Sequence, residues 1–187
     1  MKAKRLGLSI LSLFLLYQSI QLILVFIKHE QSYTWLQAIA LAIMLNLFVT
    51  GVWAFLGFAF PSSKLLPENY YLHVNQKRIK RLYHFMGGSY FRQFLLHTFW
   101  KNQNQRNRYF SGGKAGLEKM HFESKQAEFG HLISFVIISL ITLIFVWQNQ
   151  WKVLLISQLI NLFFNFYPVV LQRFLRIRVL RIKSILK

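Results

Sequence analysis

The chain has no cysteine and no aspartate, and only five acidic residues among 187. Without thiols there is no disulfide framework, no thiolate nucleophile and no Cys-based zinc or iron–sulfur site. Without aspartate there is no Ser-His-Asp triad and no Asp-rich calcium or magnesium loop. All carboxylate chemistry falls on Glu30, Glu68, Glu118, Glu123 and Glu128.

What is abundant is apolar surface: 55% of the residues are hydrophobic and 17% aromatic, too much for one soluble core in a chain of this length. Four segments approach the ~20 apolar residues that a helix needs to cross a hydrocarbon layer. They run over residues 6–27, 35–60, 131–147 and 151–171. The first follows "MKAKR", which resembles the start of a secretory signal. Its apolar stretch is longer than a usual signal core and no small-x-small cleavage site follows, so a retained helix is expected.

The formal net charge is +18, and the cations alternate with the apolar segments, so anionic lipid headgroups rather than nucleic acid are the expected partners. Twelve of the 23 basic residues lie between the second and third segments, six follow the fourth and three precede the first. Because cytoplasmic loops keep the Lys/Arg excess, a multi-pass cell (inner) membrane protein with both termini cytoplasmic is predicted. The fold class is therefore all-α: about four transmembrane helices, an interfacial segment between the second and third, and a basic amphipathic C-terminal helix. In domain terms this divides one integrated domain into an N-terminal hairpin (1–60), a basic interfacial segment (61–130), a C-terminal hairpin (131–171) and a basic tail (172–187).

Within the interfacial segment, "KRIKRLYHFMGGSYFRQFLLHTFWKN" interleaves aromatics and cations as a helix pair broken at Gly87-Gly88 would, able either to pad the headgroup layer or to meet a ligand. "NQNQRNRYFSGGKAG" reads as a loop whose Arg106, Arg108 and Lys114 are free to meet an anion. Its "GGK" lacks the spacing of a phosphate-binding P-loop.

The third and fourth segments carry polar residues that a plain span does not need. Ser124, Glu128, His131 and Ser134 recur at helical spacing, as do Gln158, Asn161, Asn165, Pro168 and Gln172. An antiparallel hairpin turning near Gln148 to Trp151 sets Ser134 beside Asn165, His131 beside Pro168, Glu128 beside Gln172 and Arg173, and Glu123 beside Arg176. A charge at that depth is tolerated when paired. The Glu128–Arg173 pair either locks the hairpin, with His131 donating to a nearby carbonyl, or orients His131 as a general base, with Asn165 and Gln172 as donors to an oxyanion. The two Glu-x-x-His pairs, Glu118/His121 and Glu128/His131, fall on one helix, whereas a di-iron bundle draws them from two, so no metal site is expected.

"FESKQAEFGHL", followed some forty residues later by "NFYPVVLQRFLRIR", resembles the bacterial glycosyl-4,4'-diaponeurosporenoate acyltransferases, small membrane proteins of carotenoid biosynthesis. In that pattern a Glu-Thr pair precedes Ala-Glu, two residues and His-Trp, with an Asn and a Gln-Arg-Tyr-Asn-Arg run downstream. Glu123, Ala127, Glu128, His131, Asn165, Gln172, Arg173 and Arg176 occupy the matching places. Ser124 stands for the threonine, Leu132 for the tryptophan, and Phe174 and Leu175 for the Tyr-Asn pair. The likeness covers roughly the C-terminal 110 residues.

The resemblance implies transfer of a fatty acyl group to a sugar hydroxyl of a lipid-linked acceptor. His131, Glu128 and Glu123 would be its catalytic residues, and Asn165, Gln172, Arg173 and Arg176, with Arg106, Arg108 and Lys114, its substrate contacts. No cofactor is implied beyond an acyl thioester such as acyl-CoA as co-substrate. The His-x-x-x-x-Asp box of glycerolipid acyltransferases is excluded by the missing aspartate. The alternative reading is a non-enzymatic membrane scaffold or assembly subunit whose polar stripes recognise partner helices.

Overall fold

A computed structural model of the chain describes residues 2–28, 32–72, 75–98, 101–102 and 113–185, except the side chain at position 95. The described residues are helical and contain no strand. Helix α1 is Lys2–Lys28 and α2 is Trp35–Ala59; a 3-10 turn, Ser62–Leu65, leads to α3 (Glu68–Leu72), α4 (Gln76–Phe85) and α5 (Gly88–Thr98). Helix α6, Gly113–Trp147, is followed by α7 (Trp151–Asn161), a π-turn at Leu162–Phe166 and α8 (Tyr167–Ile185). Four stretches are long and apolar enough to cross a membrane: Lys2–Lys28, Trp35–Ala59, Gly113–Trp147 and Trp151–Ile185. The protein is therefore an all-α membrane protein, as its composition requires.

The third span is the C-terminal half of a 35-residue helix that begins at Gly113, and the basic tail is the direct continuation of the fourth span. The tail stays helical because "QRFLRIRVLRIKSI" contains no proline or glycine, so nothing ends the helix after Pro168, which directly follows the π-turn.

The chain packs as two compact units, Met1–Ser63 with Phe129–Pro168, and Lys64–Glu128 with Val169–Lys187. The first inverts the pattern of a soluble core. Large side chains such as Leu13, Leu36, Leu47 and Phe163 are exposed, while Ser12, Ser19, Asn46, Ser134, Ser157, Asn161 and Asn165 are buried. Small polar residues let helices approach closely and supply hydrogen bonds where lipid offers none. Ser12 Oγ donates across to the Val52 carbonyl at 3.0 Å, and Asn46 Nδ2 donates to its own turn at Ala42 (2.9 Å) and to Ser157 of α7 (3.2 Å). At one end of this unit Phe26 packs edge-on against Phe145 and Tyr33. Beside them Lys152 lies over Trp35 and Trp151, the composition of an interfacial belt.

The second unit carries the basic interfacial helices. Helix α4 starts where Asn75 Oδ1 accepts from the Arg78 N–H at 3.0 Å, and it ends at the predicted Gly87-Gly88 break, with Gly87 at φ +66°. Gly88 is required for a second reason: a Cβ there would lie 2.2 Å from the Tyr83 ring, whose hydroxyl donates to the Gly88 carbonyl at 2.7 Å. That ring cannot retreat freely, because its other contact is a flat stack on Phe174, centroids 3.9 Å apart.

Gly88→Ala is expected to destabilise the protein by about 1–3 kcal/mol through overpacking, and Gly87→Ala by about 1–2 kcal/mol through its left-handed backbone. Gly7→Ala, with no atom within 4 Å of the new methyl, should instead be neutral or slightly stabilising. Denaturation in detergent with helical signal as readout checks this, and equal stability of all three variants would contradict it.

Candidate active site

In the first unit His131 is half-buried on α6, and its Nδ1 lies 3.2 Å from Asn165 Oδ1. Asn165 stands in the π-turn, where an extra residue per turn changes which side chains face inward and opens the backbone locally. The Phe164 backbone also lies against the imidazole. A chain of amides fixes the orientation of these groups. Asn161 Nδ2 donates to the Phe135 carbonyl (3.0 Å) and to Ser139 Oγ (3.2 Å), which makes its Oδ1 the acceptor for Asn165 Nδ2 at 3.0 Å. Asn165 must then turn its own oxygen toward His131, and Thr50 Oγ1 sits 3.1 Å from that same oxygen. An oxygen facing Nδ1 requires a proton on Nδ1. In the neutral imidazole this leaves Nε2 with the free lone pair, and no side chain among the described residues hydrogen-bonds it.

In the second unit Glu128 is fully buried, and both its oxygens meet guanidinium groups: Arg173 Nε at 2.7 Å and Arg176 Nη2. Arg176 is itself 1% exposed, its Nε donating to the Tyr71 carbonyl at 3.2 Å. Arg173 Nη2 donates to the Tyr70 hydroxyl. Each guanidinium lies over one ring of the tyrosine pair, Arg173 on Tyr70 and Arg176 on Tyr71, at 5.1 and 5.2 Å. Burial and the Glu128 charge push the Tyr70 phenol up from its ordinary value, so it stays protonated at neutral pH. Nearby Glu68 accepts from Lys125 through both oxygens, at 2.9 and 3.0 Å, and that contact holds its carboxyl below the usual range.

Of the sequence expectations, the Glu128–Arg173 pair is present and three contacts differ. Arg176 pairs with Glu128 instead of Glu123; it lies one helical turn beyond Arg173, so both guanidinium groups reach the same carboxylate. Glu123 is half-buried and makes no ion pair among the described residues. The side chain holding His131 is the amide of Asn165, since both Glu128 oxygens are taken by arginines, and Ser134 bonds its own helix at Gly130 (2.8 Å). Gln172 is half-buried with no hydrogen bond among the described residues, Lys114 is exposed in the first turn of α6, and Arg106 and Arg108 lie outside the described residues. Sequence reasoning did not assign Tyr70, Tyr71 or Thr50. The adjacent tyrosines of "PENYYL" were the available signal for the first two; Thr50 sits in an apolar run and gave none.

These features define a multi-span membrane protein with an oriented imidazole and a buried carboxylate–guanidinium cluster. The chain belongs to the glycosyl-4,4'-diaponeurosporenoate acyltransferase family, whose model matches residues 67–184. No curated protein and no solved structure matches it.

Removing Glu128 leaves the fully buried Arg176 without its carboxylate, and removing Arg176 leaves one buried Glu128 oxygen without its guanidinium. Arg176→Met alone is expected to cost about 3–5 kcal/mol of stability, and Glu128→Leu a similar amount. The double variant should recover a large part of the loss, a coupling that a double-mutant cycle of detergent unfolding measures directly. Strictly additive costs would mean that the two side chains do not interact.

Proposed function

We propose that the protein is an integral-membrane acyltransferase that moves a fatty acyl group from an acyl thioester to a hydroxyl of a glycolipid or glycosylated terpenoid, at the cytoplasmic membrane boundary. Family membership supports the reaction class, and the observation that carries the mechanism is the His131 Nδ1 contact to an Asn165 oxygen whose direction is set by Asn161. With Nδ1 protonated, Nε2 is the base. It takes the proton of the acceptor hydroxyl as that oxygen bonds to the thioester carbonyl carbon, and the resulting imidazolium returns the proton to the thiolate when the C–S bond breaks. The products are an ester and a free thiol.

Asn165 is a positioning residue in this scheme. Its NH2 group is already engaged by Asn161 and lies 3.0 Å from Thr50 Oγ1, so it is not a donor to the oxyanion. Gln172, with no hydrogen bond among the described residues, is the better candidate for contact with substrate. Glu128 acts by fixing Arg173 and Arg176, while Glu123, the other matching carboxylate, makes no ion pair among the described residues. The surplus of basic residues between the second and third spans supports cytoplasmic termini.

The test is transfer of a labelled acyl chain from a thioester to a glycosylated terpenoid in vesicles holding the purified protein. His131→Ala should lower kcat by about 10²–10⁴-fold, the range of a lost general base. Asn165→Leu should lower kcat about tenfold or more with KM little changed, as expected for losing the bond that sets the tautomer. Full transfer by His131→Ala would remove the imidazole from the mechanism.

A further inference from the structure

Helices α4, α5 and α8 of the second unit frame a groove of ≈ 670 Å³, within the range of small-ligand sites. Its walls carry the exposed cations Lys80, Arg92, Arg178 and Arg181, and its lining includes the stacked pair Tyr83 and Phe174. The spacing explains the convergence. Lys80 and Tyr83 are three apart on α4, and Arg178 and Arg181 three apart on α8, so each helix turns one face to the groove. The Tyr83–Phe174 stack ties α4 to α8, and Arg178 lies over the Phe174 ring at 5.7 Å.

No carboxylate lines this groove. Among the described residues Glu68 is taken by Lys125, Glu118 by Lys183 and Glu128 by Arg173 and Arg176. The groove thus gathers four like charges with no carboxylate among its described lining residues to offset their repulsion. An external polyanion would offset it, and the three arginine forks match the bidentate geometry of phosphate oxygens.

We propose that this groove is a binding site for the phosphate groups of a ligand. Two sources share that chemistry: the phosphates of a soluble thioester donor, and the headgroup of an anionic lipid. The phosphate site itself does not depend on the transfer reading; only its assignment to a thioester donor rests on that reading. It also uses none of the three cations, Arg106, Arg108 and Lys114, that the sequence offered for anion contact.

The experiment uses the full chain in nanodiscs. In one arm the lipid is zwitterionic phosphatidylcholine, and inorganic pyrophosphate and adenosine 3',5'-bisphosphate are titrated as probes. In the other, retention of phosphatidylglycerol over phosphatidylcholine is measured by native mass spectrometry. At least one arm should show binding that weakens with added salt and falls about tenfold or more in Arg178→Gln/Arg181→Gln, as losing two charge-assisted contacts requires. Lys80→Gln/Arg92→Gln, on the other two helices, should do the same, so a folding defect confined to α8 cannot mimic the result. Response in the soluble arm assigns the site to a donor's phosphates, and response in the lipid arm to a headgroup. Binding in neither arm, or unchanged affinity in both double variants, overturns the proposal. Binding is read without turnover, so its outcome stands whatever the transfer assay gives.

Discussion

A polar group enclosed by apolar helices has no water to fall back on, and it is costly unless another side chain or a backbone group answers it. That constraint produces both clusters. Asn161, bonded to a carbonyl and a serine, dictates which way Asn165 faces, and Asn165 in turn dictates which nitrogen of His131 is protonated. Glu128, with no exposed surface, exists in its buried place because two guanidinium groups and a tyrosine pair surround it. In each case the geometry of a reactive group is a by-product of hydrogen-bond bookkeeping.

Scarcity of acid makes the same constraint visible on the charged side. With five glutamates against 23 basic residues, each described ion pair consumes a large share of the available anions. The pairs fall on α3, α6 and α8: Glu68–Lys125, Glu118–Lys183 and the Glu128 cluster. The groove between α4, α5 and α8 gathers four cations with no carboxylate among its described lining residues.

The sequence was most legible where one periodicity dominates. The four apolar stretches and the break at Gly87-Gly88 follow from hydropathy and from a residue that tolerates positive φ. Helical spacing also found the polar stripes to which His131, Asn161 and Asn165 belong, and it brought Glu128 to Arg173. It failed for Arg176 because matching residues by depth gives each one a single partner, whereas Arg173 and Arg176, one turn apart, converge on the same carboxylate; the π-turn at Leu162–Phe166 has no compositional mark in "LFFNF" either. The tyrosines of α3 were missed for another reason. Their partners lie about a hundred positions away on α8, and no local pattern encodes a contact of that range.

The central claim is that the amide chain leaves His131 Nε2 as the unprotonated nitrogen. Nitrogen-15 NMR of protein labelled at its six histidines, with the His131 signals assigned by difference against His131→Gln, reads that tautomer directly. Above the pH at which the ring loses its charge, the account predicts a proton on Nδ1 and a bare Nε2, with this preference lost in Asn165→Leu. A proton on Nε2 in the intact protein would contradict it.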